Sequence, residues 1–121
     1  MKITVPAQGA SPTVAISALF GRAPYLLTYD TQSESWEAVS NKINLEATQG
    51  AGIQTAQRAA DWQTNVLLAV QVGPKAFRVL AANNIAVYSM PANVDAQQAV
   101  EQYLSGKLLP LTEATNESHV I

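Results

Sequence analysis

The 121-residue chain has no cysteine and a single histidine, His119. Without thiolates it can form no disulfide, no cysteine-ligated zinc site and no iron-sulfur cluster held by its own sulfur atoms. One histidine near the end of the chain leaves no Ser-His-Asp, Cys-His or H-E-x-x-H arrangement. Charge is also scarce. Lys, Arg, Asp and Glu make up 13% of residues and leave a net charge of -2, so nothing attracts a phosphate backbone or an anionic lipid surface in general. This excludes nucleic acid as a natural partner. The longest apolar run, Val66-Leu67-Leu68-Ala69-Val70, is far below the roughly 20 residues that span a bilayer. Met1-Lys2 leads straight into Ile3-Thr4-Val5-Pro6 without an apolar leader segment. The expectation is a cytoplasmic protein with no membrane contact, in which the Asn116-Glu117-Ser118 sequon carries no weight.

What is present is apolar. A hydrophobic fraction of 48% is ample for one core in a chain of this length. Periodicity places strands in the first half and alternates helix with strand in the second, an α/β order. Lys2 to Val5 reads as a strand ended by Pro6, and Val14 to Ala18 as a short extended piece. Tyr25 to Tyr29 and Trp36 to Val39 form a hairpin around a polar turn. Residues 41 to 50 read as loop. A helix then opens at Gly50-Ala51-Gly52 with Ile53, Ala56 and Ala60 on its apolar face and ends near Trp62. Val66 to Val70, with no polar alternation, reads as the central strand, covered on both faces. A second helix starts at Gly73-Pro74, with Phe77, Leu80 and Ala81 inward and Asn83-Asn84 at its close. Ile85 to Tyr88 is the last strand. A third helix follows, with Asn93 as N-cap, Gly106 beyond its end, and Ala96, Ala99, Val100, Tyr103 and Leu104 as its stripe. From Leu109 periodicity fails, which divides the chain into a domain of residues 1 to 108 and a tail of 109 to 121. The sum is a mixed five-stranded sheet with three helices.

Three segments suit an anion. Gly50-Ala51-Gly52-Ile53 puts two glycines before a helix, where backbone N–H groups and the helix dipole favour negative charge. Thr55 stands where a dinucleotide fingerprint requires glycine, so that motif is excluded. Gly73-Pro74-Lys75 is a helix start after a buried strand, the end of a sheet at which ligands gather. In Phe20-Gly21-Arg22-Ala23-Pro24 a guanidinium with five donors sits in a short connection. Each also has a plain structural explanation: a glycine turn, a Gly-Pro helix start with a solvated lysine, and a loop arginine pairing with Asp30 or a carbonyl. Carboxylates are too dispersed for two-metal hydrolysis, with aspartates only at 30, 61 and 95. The aromatic residues read as core.

These segments occur in a fixed order. Lys2-Ile3-Thr4-Val5-Pro6, Phe20-Gly21-Arg22-Ala23-Pro24-Tyr25, Gly50-Ala51-Gly52-Ile53-Gln54, Gly73-Pro74-Lys75-Ala76-Phe77, Ile85-Ala86-Val87-Tyr88 and Ala99 to Leu108 resemble, in order and spacing, the dinitrogenase iron-molybdenum cofactor biosynthesis family, including its NifX-like, NafY-core-like and small stand-alone members. The resemblance implies a ribonuclease H-like three-layer α/β/α fold and a non-enzymatic role as carrier of an anionic metal-sulfur cluster, containing molybdenum, iron or both, or of its precursor. It implies partners among cofactor-biosynthesis or target proteins, and a monomer or weak homodimer. The implied cofactor-binding residues are Gly21, Arg22, Gly50, Ala51, Gly52, Ile53, Gly73, Pro74 and Lys75, with no protein ligand to metal. The chain departs from the family at Leu19, where many relatives have histidine. That departure, with the apolar Leu108-Leu109-Pro110-Leu111, supports a second reading: an interaction module of the same fold that binds no metal cofactor.

Overall fold

The computed structural model describes residues 1–42 and 50–115. The strands are β1 (Lys2–Ala7), β2 (Tyr25–Asp30), β3 (Ser35–Ser40), β4 (Val66–Ala69) and β5 (Ala86–Ser89). The helices among the described residues are α1 (Ala51–Asp61), α2 (Pro74–Ala82) and α3 (Ala96–Leu104), with a 3-10 turn at Phe20–Arg22. The sheet order is β3-β2-β1-β4-β5, antiparallel through β3, β2 and β1 and parallel through β1, β4 and β5. One face packs Ile3, Val5, Leu27, Val66 and Leu68 under α3, and the other packs Leu26, Leu67, Ala69 and Val87 under α1 and α2. This is the expected three-layer mixed fold, with five strands and three helices among the described residues.

The centre of the sheet is β1, not β4. An apolar run reports that both faces are covered and says nothing about rank in the sheet. β1 carries the polar Thr4 in that place, where its hydroxyl lies 2.9 Å from that of Thr28 and 2.7 Å from that of Thr64, so its burial is satisfied. Pro6 does not end β1. It pairs with Leu26 of β2 in register, while the ladder to β4 has already stopped at Thr4↔Leu67, and its carbonyl accepts the Ser17 N–H instead. A missing N–H is tolerated there. Residues 15 and 16 form single bridges, to Asp95 and Ala7, rather than a strand.

Helix faces differ from expectation in detail. In α1 the buried set is Ala51, Thr55, Ala56 and Ala59; Ile53 is 37% exposed and Ala60 is only half-buried. In α2 it is Ala76 and Leu80, with Ala81 exposed, and in α3 Leu104 is 54% exposed. The N-cap of α3 is Asp95, not Asn93: its carboxylate accepts the Gln98 N–H at 2.7 Å and the Gln98 side chain accepts the Asp95 N–H at 3.0 Å, a complete capping box. Gly106, at φ +75°, follows α3 as expected.

The segment after Lys107 is hydrogen-bonded through its described part. Ser89 N–H donates to Leu109, Leu111 N–H donates to Val87, and Pro110 bridges Tyr88, so 109–111 lies along the outer edge of β5. The expectations for residues 43–49, for the sequon and for His119 fall outside the described residues.

Candidate functional site

A cavity of about 340 Å³ opens beyond the carboxyl end of β4. Phe20 and Gly21 form one wall, Gly50, Gly52 and Ile53 a second, and Gly73, Pro74, Lys75 and Ala76 a third. All three segments marked by sequence meet there, although they are far apart along the chain.

Two helices point their N-termini into this space. Gly50 is the N-cap of α1 and Gly73 that of α2; neither has a side-chain cap and neither helix has an acidic residue in its first turn. The internal ladders begin with Gln54 N–H to Gly50 O and Phe77 N–H to Gly73 O. The N–H groups ahead of these, including those of Gly52, Ile53, Lys75 and Ala76, have no carbonyl within their own helix. They sum with the two dipoles to positive potential at the cavity. By contrast α3, on the opposite face, has its N-terminus closed by Asp95.

Close backbone packing holds the walls together. A Cβ on Gly21 would fall 2.8 Å from Gly52 Cα and 2.9 Å from Gly52 N, and one on Gly52 would be 3.3 Å from the Ala76 side chain. Only glycine at 21 lets the 3-10 turn touch α1. Behind this contact lies Asn41, fully buried, whose Nδ2 donates to Ala23 O at 2.9 Å and to Thr55 Oγ1 at 3.1 Å, while Thr55 Oγ1 donates to Ala51 O at 2.7 Å. This network joins the end of β3, the connection after the 3-10 turn and the first turn of α1. The sequence reading missed Asn41 and Thr55, because a polar residue in a loop and one in a helix look solvated until tertiary packing buries both.

Not every marked residue lines the cavity. Ala51 is buried beneath the turn, and Arg22 is exposed, following Gly21 but outside the lining. Lys75 is exposed and lines it. Leu19 is 51% exposed and borders a smaller neighbouring cavity of about 220 Å³ that shares Phe20, Gly21 and Gly73 with the first. Arg22 precedes β2 and Asp30 ends it, so the two stand at opposite ends of that strand. The Asp30 carboxylate instead accepts the Gln32 N–H at 2.8 Å, which holds its pKa below the ordinary aspartate value. Among the described residues no group of three or more His, Asp or Glu is placed to hold a metal ion, and no helix is long and apolar enough to cross a membrane.

Comparison with known proteins agrees with this architecture. The family described as "Dinitrogenase iron-molybdenum cofactor" matches residues 1–106. The apo form of the orange protein from Desulfovibrio gigas is 32% identical, superposes with a TM-score of 0.92, and is matched over 95% of this chain and 96% of its own. A structure from Thermotoga described as belonging to the DUF35 family is 30% identical, with a TM-score of 0.84 and coverage of 96% and 97%. No curated protein matches the chain.

Proposed function

The chain belongs to the dinitrogenase iron-molybdenum cofactor family, and from that membership we propose that it is a non-enzymatic carrier of an anionic metal-sulfur cluster, containing molybdenum, iron or both, or of a precursor. The observation that carries this reading is the pair of helix N-termini facing one cavity without side-chain caps or acidic first turns. A sulfide cluster brings its own metal ligands and a net negative charge. It needs donors and positive potential from a protein, not thiolates, and backbone N–H groups with Lys75 supply both. Gly21, Gly50, Gly52 and Gly73 let the backbone approach the cargo, Ile53 and Pro74 offer apolar contact to weakly hydrated sulfur, and Ala51 anchors the turn through Thr55. Arg22, next to Gly21 in the chain, adds a positive charge outside the lining. A cargo held without protein-to-metal bonds can be handed on to a cofactor-biosynthesis or target protein in the cytoplasm.

The test is to incubate the purified protein with tetrathiomolybdate plus copper or iron salts and then desalt it. Retention of metal and of a visible absorption band near one cluster per chain is expected, with weaker retention for Lys75→Gln and Arg22→Ala. A desalted protein free of metal would sink the carrier reading. An alternative, favoured by the exposed Leu19 in the place of the family histidine, is an interaction module without cargo; it predicts partner binding by a protein that retains no metal.

A further inference from the structure

The linker between β4 and α2 lies beyond the β4–β5 ladder, which stops at Ala69↔Ser89, and Gln71 makes a single parallel bridge with Leu19. This linker is held at two adjacent residues. Gln71 donates its N–H to Ala18 O at 3.1 Å and accepts the Phe20 N–H at 3.3 Å, which ties it to the arm carrying Phe20 and Gly21. Val72, 1% exposed, bonds Thr115 through both of its polar main-chain groups: Val72 N–H donates to Thr115 Oγ1 at 2.7 Å, and Val72 O accepts the Thr115 N–H at 3.0 Å and its hydroxyl at 3.3 Å. Gly73, the N-cap of α2, comes next.

We infer that Thr115 is a positioning residue for the anion cavity: by closing on both polar main-chain groups of Val72 it sets where the first turn of α2, with Lys75 and Ala76, points. The ligand side of this inference rests on the carrier reading, whereas the clasp itself is independent of it. A buried N–H and C=O with no strand partner must be satisfied from elsewhere. A hydroxyl can accept from one and donate to the other at the same time. Serine can do the same and valine, of equal shape, cannot. Because Thr115 is 43 residues from Val72, the clasp couples the C-terminal segment to the site, and linkage makes the coupling reciprocal. A ligand that orders the α2 N-terminus must tighten the clasp, and loss of the clasp must weaken the ligand.

The experiment compares full-length wild type, Thr115→Val and Thr115→Ser by amide hydrogen exchange, with and without tetrathiomolybdate. Phe77 and Ala99 donate the corresponding first-turn bonds of α2 and α3, to Gly73 and Asp95. Without probe, Thr115→Val should speed exchange at Val72 and Phe77 by about tenfold while leaving Ala99 unchanged, as expected when a local opening rather than global unfolding is affected. Thr115→Ser should match wild type. With tetrathiomolybdate, Thr115→Val should bind about fivefold to tenfold more weakly, in line with the loss of one or two buried hydrogen bonds, and in wild type the probe should slow exchange at Val72. Unchanged exchange at Phe77, equal acceleration at Ala99, or unaltered probe affinity in Thr115→Val would overturn the inference. If wild type binds no probe even with copper or iron salts added, the carrier reading fails, and the exchange comparison without probe still decides the clasp.

Discussion

A Cβ added to Gly21 would stand 2.8 Å from the backbone of Gly52, whereas one added to Gly50 would meet nothing within 4 Å. The two positions need glycine for different reasons. At Gly21 the requirement is space, and alanine must push α1 away from the 3-10 turn, a repacking that costs about 1–3 kcal/mol. At Gly50 it is conformation, since φ is +77° and a side chain there costs about 1–2 kcal/mol without a clash. Urea denaturation of Gly21→Ala and Gly50→Ala should therefore show comparable destabilisation. Retention of a thiomolybdate probe should fall in both variants, since both glycines line the cavity, and further in Gly21→Ala, where the wall itself moves; unchanged retention in Gly21→Ala would contradict this assignment. Both glycines are evident in the sequence, but the two roles are not, because a close approach between residues 21 and 52 is a property of two elements at once.

At the level of elements, Asn41 and Asp95 make a useful pair. Asn41 links β3, the 22–24 connection and α1 around the cavity, and Asp95 caps α3 on the other face of the sheet. Asn41→Ala leaves buried acceptors unpaired and should cost about 1–3 kcal/mol. Asp95→Ala loses a capping box, typically ~1 kcal/mol. Thermal unfolding should register both, while probe affinity should drop for Asn41→Ala and stay at the wild-type value for Asp95→Ala. A change in affinity on loss of Asp95 would mean that α3 contributes to the site after all. The kinds and order of the elements could be read from period and turn residues. Their faces were less legible: Ile53 fits the 3.6-residue stripe of α1, yet the first turn of that helix overhangs the cavity rather than the sheet, so Ile53 is left 37% exposed and Thr55 is buried in its stead. Asn93 is expected as the cap of α3 from its residue type, but Asp95 takes that place because Gln98, three residues on, completes a capping box, a spacing already present in the sequence.

For the molecule as a whole, the net charge of -2 has the same sign as the proposed cargo. Attraction then comes from N–H groups and helix ends inside the cavity, whose influence fades within about one turn, while the outer field is weakly repulsive. Raising ionic strength from about 0.01 M to 0.15 M shortens the screening length from roughly 30 Å to 8 Å and should leave the loading rate unchanged or slightly faster in stopped-flow absorption. A steep slowing would reveal a steering patch outside the cavity.

From the sequence alone came the α/β class, the order of strands and helices, the three anion-suited segments and the exclusion of thiolate chemistry, because composition and local period act over a few neighbouring residues. Tertiary structure decided the rest. The order β3-β2-β1-β4-β5 places α1 and α2 on one face, which brings residues 20–21, 50–53 and 73–76 around one cavity and leaves Arg22 outside it. It also brings Thr115 to Val72, since a linker beyond the β4–β5 ladder must find partners for its buried polar groups wherever the folded chain passes. Periodicity states which side of an element faces a core; only the pairing of strands states which elements share it.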